Sequence, residues 1–448
     1  LNRLTNFPYK NALVLGLAKS GEAAARILQE NGVKVRVNDK ENEGHNPIVA
    51  ELRNLGIEVT TGGHPLSVLD HIEVVVKNPG IPYDNVIIKE AETRGIPIIT
   101  EIEIAGMLAK GPIIGITGSN GKTTTTTLIF EMLKSSNKRV QVAGNIGTVA
   151  SEVAKENKED EILVMELSSF QLLGTKTFHP KVSVFLNIFE AHLDYHKTLE
   201  HYAQAKANIF KNQTENDFVV FNSEDAIVSK LVKESSANKV PFSPNVENTK
   251  GAWADDEWLY FQQNRIIRKE DIALVGKHNF ENILAAVSAA SLVGATPEGI
   301  KHVLETFQGV PHRLQFVKEV NGRVFYNNSK ATNILATTTA LASFSKPIIL
   351  LAGGLDRGND FDGLLPYLEN VKAMVLFGQT AKKLKETGQN ARIEQIHIVD
   401  NVEQAVQIAY ELSSADDVIL LSPACASWDQ YRSFEERGDM FVKAVHKL

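Results

Sequence analysis

Short apolar runs rich in Val and Ile alternate with segments of helical spacing along almost the whole chain. That alternation predicts layered α/β units built on mainly parallel sheets. Residues 12–15 predict a first strand, 16–21 a turn, 22–31 a helix stopped by Gly32, and 34–38 a second strand followed by Asp39. Further strands are predicted at 74–77 and 96–100. A new series begins after Gly111-Pro112, a pair that breaks both helix and strand. It runs through a strand at 113–117, a Gly-rich turn, a helix opening near Lys122, strands at 140–143, 161–166 and 182–187, and a helix over 199–211. Residues 245–268, polar but carrying Trp253, Trp258 and Tyr260, predict short antiparallel strands inserted ahead of a helix at 279–292. The pattern breaks once more at Gly309-Val310-Pro311. Strands at 323–326, 348–351, 373–377, 396–399 and 418–421 then alternate with helices.

The length of 448 residues agrees with three such units at roughly 150 residues each. Hydrophobic residues at 43% and charged residues at 23% are globular values and argue against extensive disorder. A net charge of −7, with no Lys/Arg cluster, argues against nucleic acid as a partner. Cys425 is the single cysteine, which removes intrachain disulfides and all-cysteine metal sites and fits a reducing compartment. No apolar run nears the ~18 residues of a membrane span, and residues 1–10 carry no basic-then-apolar secretory pattern. The expectation is a cytoplasmic protein.

The strongest local motif is Gly115-Ile116-Thr117-Gly118-Ser119-Asn120-Gly121-Lys122-Thr123-Thr124, between a predicted strand and a predicted helix. Its glycines let backbone N–H groups converge on phosphate, Lys122 would neutralise phosphate charge, and Thr123 would reach Mg2+. Ile116 stands where the strict pattern has its first glycine, so the loop is a variant. Glu166 closes an apolar strand, the place of a metal-associated acid in phosphate-loop enzymes, although a carboxylate capping a strand would look the same. His192 and Asp194 follow another strand end, and spacing leaves Lys206 as an ordinary surface charge on a helix. In the first unit, Gly16-x-Ala18-x-x-Gly21 with Asp39 beyond the second strand resembles a dinucleotide fingerprint whose middle glycine is replaced. Ala18 adds a Cβ where a pyrophosphate would press on the backbone, favouring a nucleotide substrate over NAD. Asn279 and Asn282 open an apolar helix, where they could read an adenine edge or simply cap. The runs 328–333, 353–357 and 422–430 fall after predicted strands, where α/β ligand sites gather.

Together these motifs resemble the Mur ligase family of ATP-dependent, amide-bond-forming enzymes. The similarity extends from Gly16 to the run SPACASWDQYRSFEERGDMF at 422–441, and that run points to the D-glutamate-adding branch. The resemblance implies three domains: a Rossmann-like domain at 1–99 for a UDP substrate, a central P-loop ATP domain at 100–310 with a small antiparallel insertion, and a Rossmann-like amino-acid domain at 311–448. It implies ligation of D-glutamate to UDP-N-acetylmuramoyl-L-alanine through an acyl phosphate, by a monomer.

Residue by residue, the resemblance assigns Gly118, Asn120, Gly121, Lys122, Thr123, Thr124, Asn279, Asn282, Arg313 and Asn328 to ATP. Thr123, Glu166, His192 and a CO2-carbamylated Lys206 would hold two Mg2+ ions, with Mn2+ as a substitute. A carbamate makes sense there, because an ammonium cannot ligate a cation and an anionic oxygen can. Ala18, Lys19, Asp39 and Gly80 would take the uridine diphosphate, and Asn145, Ser168, Gln171 and His192 the muramoyl-alanine part. Lys330, Thr332, Arg357, Ser427 and Phe434 would line the D-glutamate site, where positive charge and hydroxyls suit two carboxylates. Three positions depart from the family pattern: Asn328 replaces a usual Asp, Arg357 a Lys found in some members, and Ala191 a frequent Asp.

Rivals are weaker. A folylpolyglutamate synthase would not account for the first unit or the 422–441 run. An NAD-dependent oxidoreductase would leave the 115–124 loop without a role, and a nucleotide-gated switch would bind ATP without substrate-dependent release of ADP.

Overall fold

The computed structural model describes residues 1–42, 44, 47–189, 193–274 and 276–448. The chain folds as two compact units, Leu1–Phe307 and Gln308–Leu448. The first contains two parallel sheets. One is five-stranded, built from β1 (Asn11–Leu15), β2 (Lys34–Asn38), β3 (Glu58–Thr60), β4 (Val74–Lys77) and β5 (Ile98–Ile99), in the order β3-β2-β1-β4-β5. The other is six-stranded, from β6 (Ile113–Thr117), β7 (Arg139–Gly144), β8 (Glu161–Glu166), β9 (Val182–Phe185), β10 (Phe218–Asn222) and β11 (Asn238–Phe242), in the order β11-β10-β9-β6-β8-β7. β12 (Ala252–Ala254), β13 (Trp258–Phe261) and β14 (Asn264–Arg268) form the expected antiparallel insertion.

The second unit has a six-stranded sheet of β15 (Gln315–Val320), β16 (Arg323–Asn327), β17 (Ile348–Gly353), β18 (Val371–Phe377), β19 (Gln395–Ile398) and β20 (Val418–Leu421). Its order is β15-β16-β20-β17-β18-β19, parallel except for β15. Central strands such as β6 and β17 are buried at every position, so they read as unbroken apolar runs.

The structure corrects several expected boundaries. The first helix starts at Lys19 and not at residue 22, because Ala18 already accepts the N–H groups of Gly21 and Glu22. The strand expected at 96–100 shrinks to Ile98–Ile99, and the helix expected over 199–211 ends at Ala207 and tightens to a 3-10 turn at Asn208–Phe210. β3, β10 and β11 had no counterpart among the expected strands, nor did β15. Its sequence QFVKEV is only partly buried and pairs through one edge, so it lacks the apolar density of a central strand.

Candidate active site

The Gly-rich turn after β6 leads directly into the helix Lys122–Ser135. Ile116 is still paired in the ladder, opposite Glu166 and Val184, which explains why no glycine is needed there. The two glycines that follow are demanded by space and backbone. Gly118 has φ +154° and Gly121 has φ +84°. A Cβ on Gly121 would lie 2.0 Å from Asn282 Oδ1, so the helix Lys277–Leu292 packs its Asn282 amide directly on the loop. Asn279 is buried one turn ahead of it on the same helix. Asn187 clasps the loop from β9, accepting from Asn120 N at 2.9 Å and donating to Asn120 O at 3.2 Å.

Charged groups converge on this turn. Lys122 Nζ donates to Gly118 O at 2.9 Å and Ser119 O at 3.1 Å. Thr123 Oγ1 donates to Glu166 Oε2 at 2.8 Å, and Asn145 Nδ2 donates to the other Glu166 oxygen at 2.9 Å. Thr124 follows in the first helical turn.

Lys206, at 1% exposure, is no surface lysine. Its Nζ donates to the same Gly118 carbonyl at 2.9 Å and lies 4.8 Å from the centre of the Tyr202 ring. Burial holds its pKa well below the ordinary lysine value; the nearby Lys122 charge pushes the same way and Glu166 opposes. Loss of its proton to leave a neutral, nucleophilic amine is therefore easier here than for a solvated lysine. His192, which the resemblance would add to the metal ligands, lies outside the described residues, as does Ala191.

Ser168 and Gln171 form a capping box on the short helix Ser169–Leu172, with Ser168 Oγ donating to Gln171 Oε1 at 2.9 Å. Their side chains thus hold each other where β8 ends. In the first sheet, Ala18, Lys19, Asp39 and Gly80 sit at the C-terminal ends of β1, β2 and β4, the ligand edge of a parallel sheet. The turn is tight: a Cβ on Gly21 would lie 1.9 Å from Gly16 O. Asp39 accepts from Leu17 N at 2.6 Å and from Glu41 N at 2.8 Å, while Gly80 N donates to Asn78 Oδ1 at 3.1 Å. Asp39 is a loop staple as well as an acid at the ligand edge of the sheet.

The remaining residues gather at strand ends of the second unit. Asn328 accepts from Leu314 N at 3.1 Å and donates to Ser422 Oγ at 3.1 Å, while Arg313 N donates to Val310 O. Lys330 Nζ lies 4.7 Å from the Phe434 ring centre, with Thr332 two residues on. Arg357 stacks over Trp428 at 5.1 Å, and Trp428 is 65% exposed. Ser427 is buried, and its Oγ has no hydrogen-bond partner in the structure.

Trp428, Tyr202 and Arg437 contact these groups, and motif reading assigned them no role. Arg437 carried a signal: with Phe441 and Val445 it falls at helical spacing on one face, and all three are buried.

Three family models match the chain: the Mur ligase MurD-like N-terminal domain over residues 10–100, the Mur ligase middle domain over 116–290, and the Mur ligase glutamate ligase domain over 312–425. The chain is similar to the UDP-N-acetylmuramoylalanine–D-glutamate ligase of Oceanobacillus iheyensis, 57% identical over 448 residues and 100% of both chains. Its similarity to the protein of the same name from Geobacillus kaustophilus is 58% over 444 residues, covering 99% of this chain and 98% of that one. Among solved structures, UDP-N-acetylmuramate-alanine ligase MurC of Thermotoga maritima shares the fold with a TM-score of 0.56 at 19% identity, covering 98% and 99% of the two chains. The MurF ligase of the same organism, in complex with ADP, does so with a TM-score of 0.55 at 17% identity, covering 100% and 97%. Among the described residues no helix is long and apolar enough to cross a membrane.

Proposed function

The chain belongs to the Mur ligase family, and from that premise we propose that it joins D-glutamate to UDP-N-acetylmuramoyl-L-alanine while splitting ATP to ADP and phosphate. The observation that carries the reading is full-length similarity, at 57% and 58% identity, to relatives bearing the name of that ligase. The geometry of the phosphate loop supports the chemistry. Residues 1–99 would take the uridine nucleotide at Ala18, Lys19, Asp39 and Gly80, with Asn145, Ser168 and Gln171 on the muramoyl-alanine side. Residues 100–310 would take ATP on Gly118–Thr124, Asn279 and Asn282, with Arg313 and Asn328 contributing from 311–448. That last segment would take D-glutamate on Lys330, Thr332, Arg357, Ser427 and Phe434. We assign the chain to the cytoplasm and to the monomeric state.

A carboxylate does not acylate amines unaided. The terminal alanyl carboxylate therefore attacks the γ-phosphorus of ATP, the bond to the β-phosphate oxygen breaks, and ADP leaves. Lys122, now donating to loop carbonyls, can turn to phosphate oxygens and offset repulsion between the two anions. The D-glutamate amine then attacks the acyl phosphate, and the tetrahedral intermediate expels phosphate. Ser427 and Arg357 would orient the two carboxylates of the amino acid.

The donor set fits a hard divalent cation: the Thr123 hydroxyl and the buried Glu166 carboxylate meet at 2.8 Å beside the loop. Thr123, Glu166, His192 and Lys206 as its carbamate would hold two Mg2+ ions, or Mn2+, which would supply charge neutralisation to the transferring phosphoryl group. Lys206 is suited to carbamylation because burial favours its neutral amine.

The deciding experiment measures ADP release with ATP, Mg2+ and UDP-N-acetylmuramoyl-L-alanine, offering D-Glu, L-Glu, D-Ala or L-Lys. Turnover that requires both the nucleotide substrate and D-Glu is expected. Turnover with a different amine would retain the family and overturn the amino-acid assignment.

A further inference from the structure

Arg437 lies one turn into the helix Phe434–His446, and its side chain is completely buried. Its Nε donates to Ser329 Oγ at 3.0 Å, and its Nη2 to Ser329 O at 2.9 Å and Cys425 O at 3.1 Å. Nη1 donates to Gly353 O at 3.3 Å. These acceptors belong to three separate segments, just past β16, at the end of β17 and past β20. Ser329 Oγ passes the connection on, donating to Phe434 O at 2.7 Å.

Every segment tied to Arg437 carries groups of the amino-acid site a few residues further on. Ser329 precedes Lys330 and Thr332, Gly353 precedes Arg357, and Cys425 precedes Ser427. Phe434 stands on the helix of Arg437 itself. All four acceptors are uncharged oxygens, with Asp429 among the groups whose charge reaches the guanidinium. Burial lowers the Arg437 pKa only to about 10, so the side chain stays charged at neutral pH. An apolar residue of similar volume would pack a core at lower desolvation cost. What the guanidinium supplies is a planar fork with fixed donor directions, which neither an apolar group nor an ammonium reproduces.

We infer that Arg437 is a positioning residue for the amino-acid site, setting the spacing of three strand-end loops without touching the substrate. The inference rests on the D-glutamate reading of those loops. Sites assembled from several loops lose binding when the support behind them slackens by an ångström. Lys330, Thr332, Arg357, Ser427 and Phe434 would all drift together once the fork is lost.

The test compares wild type, Arg437→Lys and Ser329→Ala in the full chain, varying ATP, UDP-N-acetylmuramoyl-L-alanine and D-Glu in turn. In Arg437→Lys the KM for D-Glu should rise about tenfold or more, with the KM values for ATP and the nucleotide substrate within about twofold of wild type. Ser329→Ala, which removes one acceptor and the onward bond to Phe434, should give a smaller rise, about threefold, in the same constant. An unchanged KM for D-Glu in folded Arg437→Lys would overturn the inference. So would a parallel rise in all three constants, or a fall in kcat alone. Should Arg437→Lys fail to fold, Ser329→Ala decides by the same criterion. Wild-type turnover measured alongside separates the two ideas: absence of D-Glu-dependent ADP release there overturns the substrate reading, and the ratios are then read with whichever amine is used.

Discussion

Lys206 and Arg437 are both cations by nature, both buried, and both donate to main-chain carbonyls at the ends of parallel strands. Their environments drive them to opposite outcomes. Lys206 shares the Gly118 carbonyl with Lys122, and burial with that neighbouring charge holds its pKa well below the lysine range. Arg437 has four neutral oxygens to itself and falls only to about 10. A lysine can surrender its proton and become a nucleophile, whereas a delocalised guanidinium keeps its charge and serves as a fixed bracket. Burial thus loosens the hold of Lys206 on its proton, while Arg437 keeps its charge among fixed acceptors.

Replacing Lys206 is the hardest test of that contrast. Lys206→Ala should lower turnover by roughly 10^2–10^3-fold, the scale of losing one charge-stabilising group, with partial recovery on adding short carboxylic acids. Lys206→Arg should be equally poor and beyond rescue. Full activity in that variant would overturn the contrast, since an arginine cannot form the proposed carbamate.

Lys122→Ala removes the charge that shares the Gly118 carbonyl. First-step turnover should fall by about 10^2-fold or more, measured as single-turnover ADP formation. Near-normal rates would remove Lys122 from phosphate chemistry.

Arg437→Met leaves the carbonyls of Ser329, Gly353 and Cys425 without their buried donor. A loss of about 3 kcal/mol in unfolding free energy is expected from urea denaturation. Little or no loss would mean that the bracket is dispensable to the fold.

The last contrast concerns a buried acid, the counterpart of Lys206. Glu101, in the first turn of the helix Glu101–Leu108, accepts from Ser151 N, and burial raises its pKa to about 7 against the opposing effect of that bond. The folded-state value lies above the ordinary 4.5, so the stabilising contribution is complete below about 4.5 and is lost as pH climbs through about 7. Relative to Glu101→Gln, wild type should lose about 3 kcal/mol between pH 4.5 and 8. A difference that stays flat with pH would show that burial does not perturb this carboxyl.

Legibility in the sequence tracked how local each feature is. The phosphate loop could be read from consecutive residues, because its glycines, Lys122 and Thr123 act within one strand–turn–helix unit. Even its departure at Ile116 has a local cause, the continuation of β6. The Gly16–Gly21 turn was equally plain. Lys206 was different: the spacing Tyr202-x-x-x-Lys206 places both on one helix face but does not say whether that face meets water or the loop at Gly118. Arg437 sat inside a run that pointed to the D-glutamate branch, yet its role stayed hidden. Ser168 and Gln171 turned out to bond each other, which a capping pattern alone can foretell.

The sequence by itself determined most of the central strands and the helices between them, the glycine turns and the phosphate-loop motif, because short-range sterics and hydrophobic periodicity set these. Only the tertiary structure decided which cations lose water and what replaces it. Desolvation is summed over every neighbour in space, and the oxygens around Arg437 come from positions 12, 84 and 108 residues away along the chain.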